Sequence, residues 1–140
     1  MFQRSRKGYV EEQMEGIARV MAKILGFKDA GDIPAAVTEI GEFFNQQCGV
    51  SLKLVVALSE DSLPHVFGGT TSLDIARRYT AAVLLDEYAQ LLTEQNMIAG
   101  ARASRIRAAL LLDSAMKAEE TLRTPDNQNR LERLQVLAGV

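Results

Sequence analysis

A chain of 140 residues, 47% apolar and 24% charged, is long enough to bury a core without disulfides or metal, and its composition excludes the disordered and membrane-embedded classes. Seven basic side chains stand against nine acidic ones up to residue 70 and nine against nine beyond it, so neither half carries the positive field a phosphate backbone requires, and nucleic acid is not an expected partner. Cys48 and His65 are each single of their kind, which excludes a disulfide framework and a zinc cluster, and no run of about 18 apolar residues offers a membrane span.

The start MFQRSRKGYVEEQ turns acidic where a signal peptide would become apolar, so a cytoplasmic protein is expected, with residues 1–8 as a flexible arm. From Tyr9 to Leu25 the apolar residues Val10, Met14, Ile17, Met21 and Ile24 recur at helical spacing, with Glu11, Glu15, Arg19 and Lys23 on the other face. In the following GFKDAGDIP, Gly31 suits a left-handed turn, Asp32 is placed to cap a second helix, and Pro34 falls in its first turn. That helix runs to about Gln47 on a stripe of Ile33, Ala36, Val37, Ile40, Phe43 and Phe44. Gly41 in its middle is expected at a close helix contact.

The run LKLVV at 52–56 fits a strand or a buried helix by periodicity alone, and its helical neighbours favour helix. Ser59 or Ser62 can cap a short helix through Phe67, which Gly68 and Gly69 would end; whether 51–67 makes one helix or two stays open. A long helix follows from Ser72, the expected cap, to Glu94. Ala81, Leu84, Leu85, Tyr88, Leu91 and Leu92 form one apolar face, and Ile75, Tyr79 and Ala82 a second edge, so it is expected to be covered on two sides. QNMIAG then turns the chain into a helix from about Ala99 to Leu122, stopped by Thr124 and Pro125. A last helix, 126–140, is expected to start at Asp126 and to close the domain through Leu131, Leu134 and Leu137, or to offer that stripe to a second copy.

Connections of a few residues force consecutive helices to lie antiparallel, so the expectation is one all-α domain of six or seven helices built from helical hairpins. AGDIPAAVTEI and QNMIAGARASR both pass from a turn to a small residue, Ala36 and Ala101, 65 residues apart. In the second hairpin Leu85, Tyr88, Ala89 and Leu92, then Ala101 and Ala108, resemble the large and small positions of the tetratricopeptide repeat, whose length is about 34 residues. Arg105 replaces an aromatic residue of that pattern and Asp113 a proline. The segments MFQ, ILGF, GDIPAA, LSEDSL and the residues from 79 to 112, in that order, also look like a family of small bacterial proteins of unassigned activity. The resemblance implies a tetratricopeptide-like helical fold and no chemistry.

Arg105 lies among Ala101, Ala108, Leu112 and Ala115 on a helical wheel, so its guanidinium needs a partner. Asp86, Glu87 or the Tyr88 ring across the hairpin would supply one, or else Arg105 reaches a groove and binds a partner's carboxylate. Arg77, Arg78, Tyr79, Arg102 and Arg105 are therefore the candidate partner-binding groove, while Arg102 and Arg107 otherwise belong to a solvated face. His65 with Ser62 lacks a third triad member, and Cys48 near a helix C-terminus meets the wrong end of the dipole for a thiolate. The neighbouring acids Glu11/Glu12, Asp86/Glu87 and Glu119/Glu120 point to different sides of a helix, as solvated charges do, and GGT at 68–70 lacks the lysine of a phosphate loop. No cofactor, metal or catalytic residue is expected. The expected function is a non-catalytic interaction or scaffold module presenting a groove lined by the helix from Ser72 to Glu94 to a protein or peptide. The alternatives are a structural homo-oligomer, or a binder of small apolar ligands in a cavity lined by Met14, Met21, Met97 and Met116.

Overall fold

The computed structural model describes residues 6–140, with side chains from Glu11 onward. Among these residues there is no strand, and seven α-helices follow one another. They are α1 (Arg6–Asp29), α2 (Ile33–Cys48), α3 (Leu52–Ala57), α4 (Leu63–Val66), α5 (Ser72–Glu94), α6 (Ile98–Ala118) and α7 (Pro125–Ala138). Single 3-10 turns at Glu60–Ser62 and Glu120–Leu122 precede α4 and α7. The first five residues of the expected arm lie outside the described residues, and residues 6–8 form the first turn of α1.

Local capping explains most boundaries. Gly31 takes φ +75°, the Asp32 amide donates to the Phe27 carbonyl at 2.8 Å, and Asp32 Oδ1 then accepts from the Ala35 amide at 3.2 Å, so one residue ends α1 and starts α2. The run at 52–56 is helical, capped by the Ser51 hydroxyl, which accepts from the Leu54 amide at 3.4 Å. The segment 51–67 is thus two short helices joined by a 3-10 turn.

α1 runs on to Asp29, past the expected end at Leu25, and three further boundaries differ from the sequence expectation. Thr71, not Ser72, caps α5: its hydroxyl accepts from the Asp74 amide at 3.1 Å while the Asp74 carboxylate accepts from the Thr71 amide at 3.2 Å. Those bonds hold the Asp74 carboxyl below the usual carboxylate range. Thr124, not Asp126, caps α7 by accepting from the Asn127 amide at 3.1 Å, because Pro125 occupies the first helical position and sets the cap one residue before it. And α6 ends at Ala118, the next residues tightening into the 3-10 turn that buries Leu122.

α5 is the centre of the fold. It packs on α6 along one side and on α2 and α1 along the other, while α7 packs on α6 and α1 on α2. The expectation that it is covered on two sides holds: Ile75, Ala76 and Tyr79 through Leu85 are all buried. Ala101, Ala108 and Ala115 of α6, each fully buried, let the two backbones approach along the hairpin. Gly41 is not a contact point, since a Cβ there would meet nothing within 4 Å. The close approaches are at Gly16, where a Cβ would lie 3.3 Å from the Phe43 ring, and at Gly100, where it would lie 3.2 Å from Leu92.

Candidate functional site

The arginines expected to line one groove are distributed over the molecule, and each is tied to the chain itself. Arg77 donates to the Cys48 carbonyl at the end of α2 and lies 6.0 Å from the Phe67 ring centre. Arg78 joins the Ser114 hydroxyl at 3.1 Å to the Gly69 carbonyl at 2.8 Å. The Tyr79 hydroxyl donates to Asn127 Oδ1 at 3.3 Å, and Asn127 Nδ2 donates in turn to the Leu122 carbonyl at 2.8 Å. Arg102 donates to the Ala138 carbonyl at 3.0 Å, the last of α7.

Arg107, expected on a solvated face, donates to the Val55 carbonyl at 3.1 Å, to the Ala103 carbonyl at 2.9 Å and to the Leu58 carbonyl. Arg123 does the same for the Met116 carbonyl at 3.0 Å. A helix leaves its last carbonyls without intrahelical partners, and a cation is favoured there by the dipole. Arg77, Arg102 and Arg107 therefore serve as caps donated from one helix to the end of another, and Arg123 turns back from the segment after α6 onto the last turn of that helix, roles that a wheel projection of single helices does not display.

Arg105 is half-buried, and its partner is none of Asp86, Glu87 and Tyr88. Nη2 donates to Thr93 Oγ1 at 3.0 Å, and Thr93 donates back to the Ala89 carbonyl at 2.9 Å. The side chain turns toward the end of the hairpin, where the Thr93 hydroxyl takes one donor while Nε is buried with no acceptor.

Asp86 has been taken by α7 instead. It is fully buried in the middle of α5, contrary to the expectation of solvated charge, and its Oδ2 accepts from both Arg130 and Arg133. The Asp86 bond raises the proton affinity of Arg133 further, fixing it as a cation. Two sequence signals carry this cluster: Asp86 interrupts the run from Ala81 to Leu85, and Arg130 and Arg133 sit three apart on one side of α7. Next to it, burial raises the Glu87 carboxyl above the ordinary value, opposed by Lys28 at 4.0 Å.

Around this cluster α1 and α7 stand apart, and α5 forms the floor between them. One hollow of about 450 Å³ has Met14 on the α1 wall, Tyr79 on the floor, and Thr121, Leu122, Asn127 and Arg130 opposite. A second, of about 270 Å³, has Ile17, Met21 and Leu25 on the α1 wall, Val83 and Glu87 on the floor, and Arg130 again opposite. Sharing Arg130, the two form one trough along α1 from Met14 to Leu25, a span of about 16 Å at the helical rise. Met14 and Leu25 are 50% and 57% exposed, which leaves its apolar wall open to solvent. Thr80 beneath it is buried and donates to Gln13 Oε1 at 2.9 Å.

The four methionines do not share a cavity: Met14 and Met21 line the trough, Met97 is exposed at the α5–α6 turn, and Met116 is in the core. Cys48 is fully buried, and burial pushes its thiol up to about 12, so it is a packing residue and not a nucleophile at neutral pH. Among the described residues no three histidine, cysteine or acidic side chains are grouped to hold a metal, and no helix is long and apolar enough to cross a membrane. No protein-family model matches the chain, and neither a curated protein nor a solved structure matches it.

Proposed function

We propose that the protein is a non-catalytic interaction module of tetratricopeptide-like hairpins, acting in the bacterial cytoplasm, and that the trough above α5 receives one amphipathic helix of a protein partner. The observation that carries this reading is the open apolar wall formed by Met14, Met21 and Leu25 over a floor of Tyr79 and Val83. Residues at that spacing match the side chains that three turns of a partner helix would bury, and methionine adapts its shape to whatever packs on it. Asp126 lines one end of the trough, whereas Lys28 at the other is already opposed by Glu87 and Glu94, so the partner helix places basic residues near Asp126.

A photo-crosslinking amino acid at position 14 or 25, used in the native cell, is expected to join the same partner at both positions. A peptide copying the captured helix is then expected to bind the purified protein and to lose at least about tenfold in affinity on Leu25→Glu, the ~1.4 kcal/mol of one decade. The control substitution Val136→Glu, outside the trough, leaves binding as it was. A peptide indifferent to Leu25→Glu overturns the reading.

A second reading, the structural homo-oligomer, is favoured by Val136, Leu137 and Val140, which are 79%, 50% and 69% exposed at the end of the chain. Sedimentation giving the monomer mass at every concentration removes it.

A further inference from the structure

A smaller hollow lies on another side of the molecule, where α4 meets the first turns of α5 and the second half of α6. Its volume is about 200 Å³, and Leu63, Pro64, Phe67, Leu110 and Leu111 make most of its wall. An apolar cavity of about 150 Å³ holds benzene, so this one accommodates an apolar body of six to eight carbons. Two polar side chains, Arg78 and Ser114, enter the wall together.

Their bonding leaves donors unused on both. Arg78 makes two hydrogen bonds, one from Nη1 to Ser114 Oγ and one from Nη2 to the Gly69 carbonyl, out of the five hydrogens a guanidinium carries. Its Nε, like that of Arg105, is shielded from solvent and has no acceptor, so the donors left for a ligand are the remaining Nη hydrogens. No ion pair of the described residues includes Arg78, although Arg130 and Arg133 each find Asp86. Ser114 accepts from Arg78, so its own hydroxyl hydrogen is directed elsewhere. A held guanidinium and a hydroxyl donor side by side on an apolar wall are complementary to a carboxylate attached to an apolar group.

One acid shares the site. Glu60 lines this hollow and also the neighbouring one that contains Ile106, Leu110 and Val140, so it stands with Leu110 on the rim between the two. It is exposed and makes no ion pair. Arg78 and Glu60 therefore set opposite conditions on a ligand: an anion gains from the first and is opposed by the second, whereas a cation has the reverse preference.

We propose that the hollow between α4, α5 and α6 binds a small apolar carboxylate, with Arg78 and Ser114 donating to the carboxylate and Phe67, Leu63 and Leu110 enclosing the apolar body. The site is separate from the trough and does not depend on it. The same chemistry is presented by a free carboxylic acid and by the apolar C-terminal residue of a peptide.

Calorimetric or NMR titration of the purified chain with phenylacetate and hexanoate is expected to give saturable binding, with phenylacetamide and hexanamide at least tenfold weaker. Gly-Gly-Leu with a free C-terminus, set against its amide, separates the peptide source from the free acid: tighter binding of the peptide acid assigns the former, and tighter binding of phenylacetate or hexanoate the latter. Arg78→Met is expected to abolish the preference for acid over amide, and Ser114→Ala to weaken the acids severalfold. Glu60→Gln, an exposed substitution that the fold tolerates, is expected to tighten them. Should Arg78→Met fail to fold, the opposite signs of Ser114→Ala and Glu60→Gln decide alone. Equal binding of acid and amide, weaker acid binding in Glu60→Gln, or no binding of any carboxylate at millimolar concentration overturns the proposal.

Discussion

The two long hairpins are held together by opposite means. Between α1 and α2 the contact is made by large side chains, Ile17, Val20 and Ile24 against Ile40 and Phe44, with Gly16 admitting the Phe43 ring. Between α5 and α6 small residues stand beside large ones: Ala101, Ala108 and Ala115 of α6 are fully buried, and a Cβ on Gly100 would lie 3.2 Å from Leu92 of α5, so little room is left for added volume. The difference follows from position. α5 packs on α6 along one side and on α1 and α2 along the other, and small residues on α6 leave volume for its leucines. α1 packs on α2 and α5, and its remaining edge, with Met14 and Leu25 exposed, is the open wall of the trough.

The contrast makes the two hairpins sensitive to opposite substitutions. The largest effect is expected from Phe44→Ala, which empties a fully buried site in the first hairpin and should cost ~3–5 kcal/mol in urea unfolding. Ala108→Leu, in the second, adds volume where none is free and should cost ~1–3 kcal/mol. If Ala108→Leu proves neutral by the same measurement, close backbone packing does not hold α5 to α6.

The open side of α1 is sharpened by Glu87, whose carboxyl burial raises above the ordinary 4.5. The folded protein then holds that proton more tightly than the unfolded chain does, so the stabilisation is complete below about 4.5 and is lost as pH rises through the raised folded-state pKa. The melting temperature of Glu87→Gln minus that of the parent is therefore expected to become more positive from pH 4 to pH 7. A difference that falls over that range would show that the Lys28 pairing outweighs burial.

The smallest effect compares two helical glycines. Gly41→Ala meets no neighbour and should stabilise α2 by ~0.5–1 kcal/mol through helix propensity, whereas the methyl of Gly16→Ala presses on the Phe43 ring and should lose that gain. Chemical denaturation of the two variants side by side distinguishes them, and equal gains would mean that Gly16 is not a contact.

Much of this fold was legible in one dimension because its signals are local. The apolar stripes of α2 and α5, the left-handed turn at Gly31 and the cap at Asp32 depend on residues within one or two turns of each other. The caps of α5 and α7 lay one and two positions earlier than expected, since serine, threonine and aspartate compete for that role and the backbone decides among them. The groove of arginines was not legible. Arg77, Arg102 and Arg107 bond carbonyls 29, 36 and 52 residues away, and no periodicity within a helix reports which helix end will be brought beside it.

The amino-acid order by itself determined that the chain would be helical, where its longest helices run, and that α5 would be covered on two sides, because hydrophobic spacing and turn chemistry act over a few residues. Only the tertiary structure decided that Asp86 would be held by Arg130 and Arg133, that Arg105 would turn to Thr93, and that α1 and α7 would leave a trough between them. A buried charge must be satisfied by whatever group the packing brings within a few ångströms, and that neighbour is set by how helices are arranged in space.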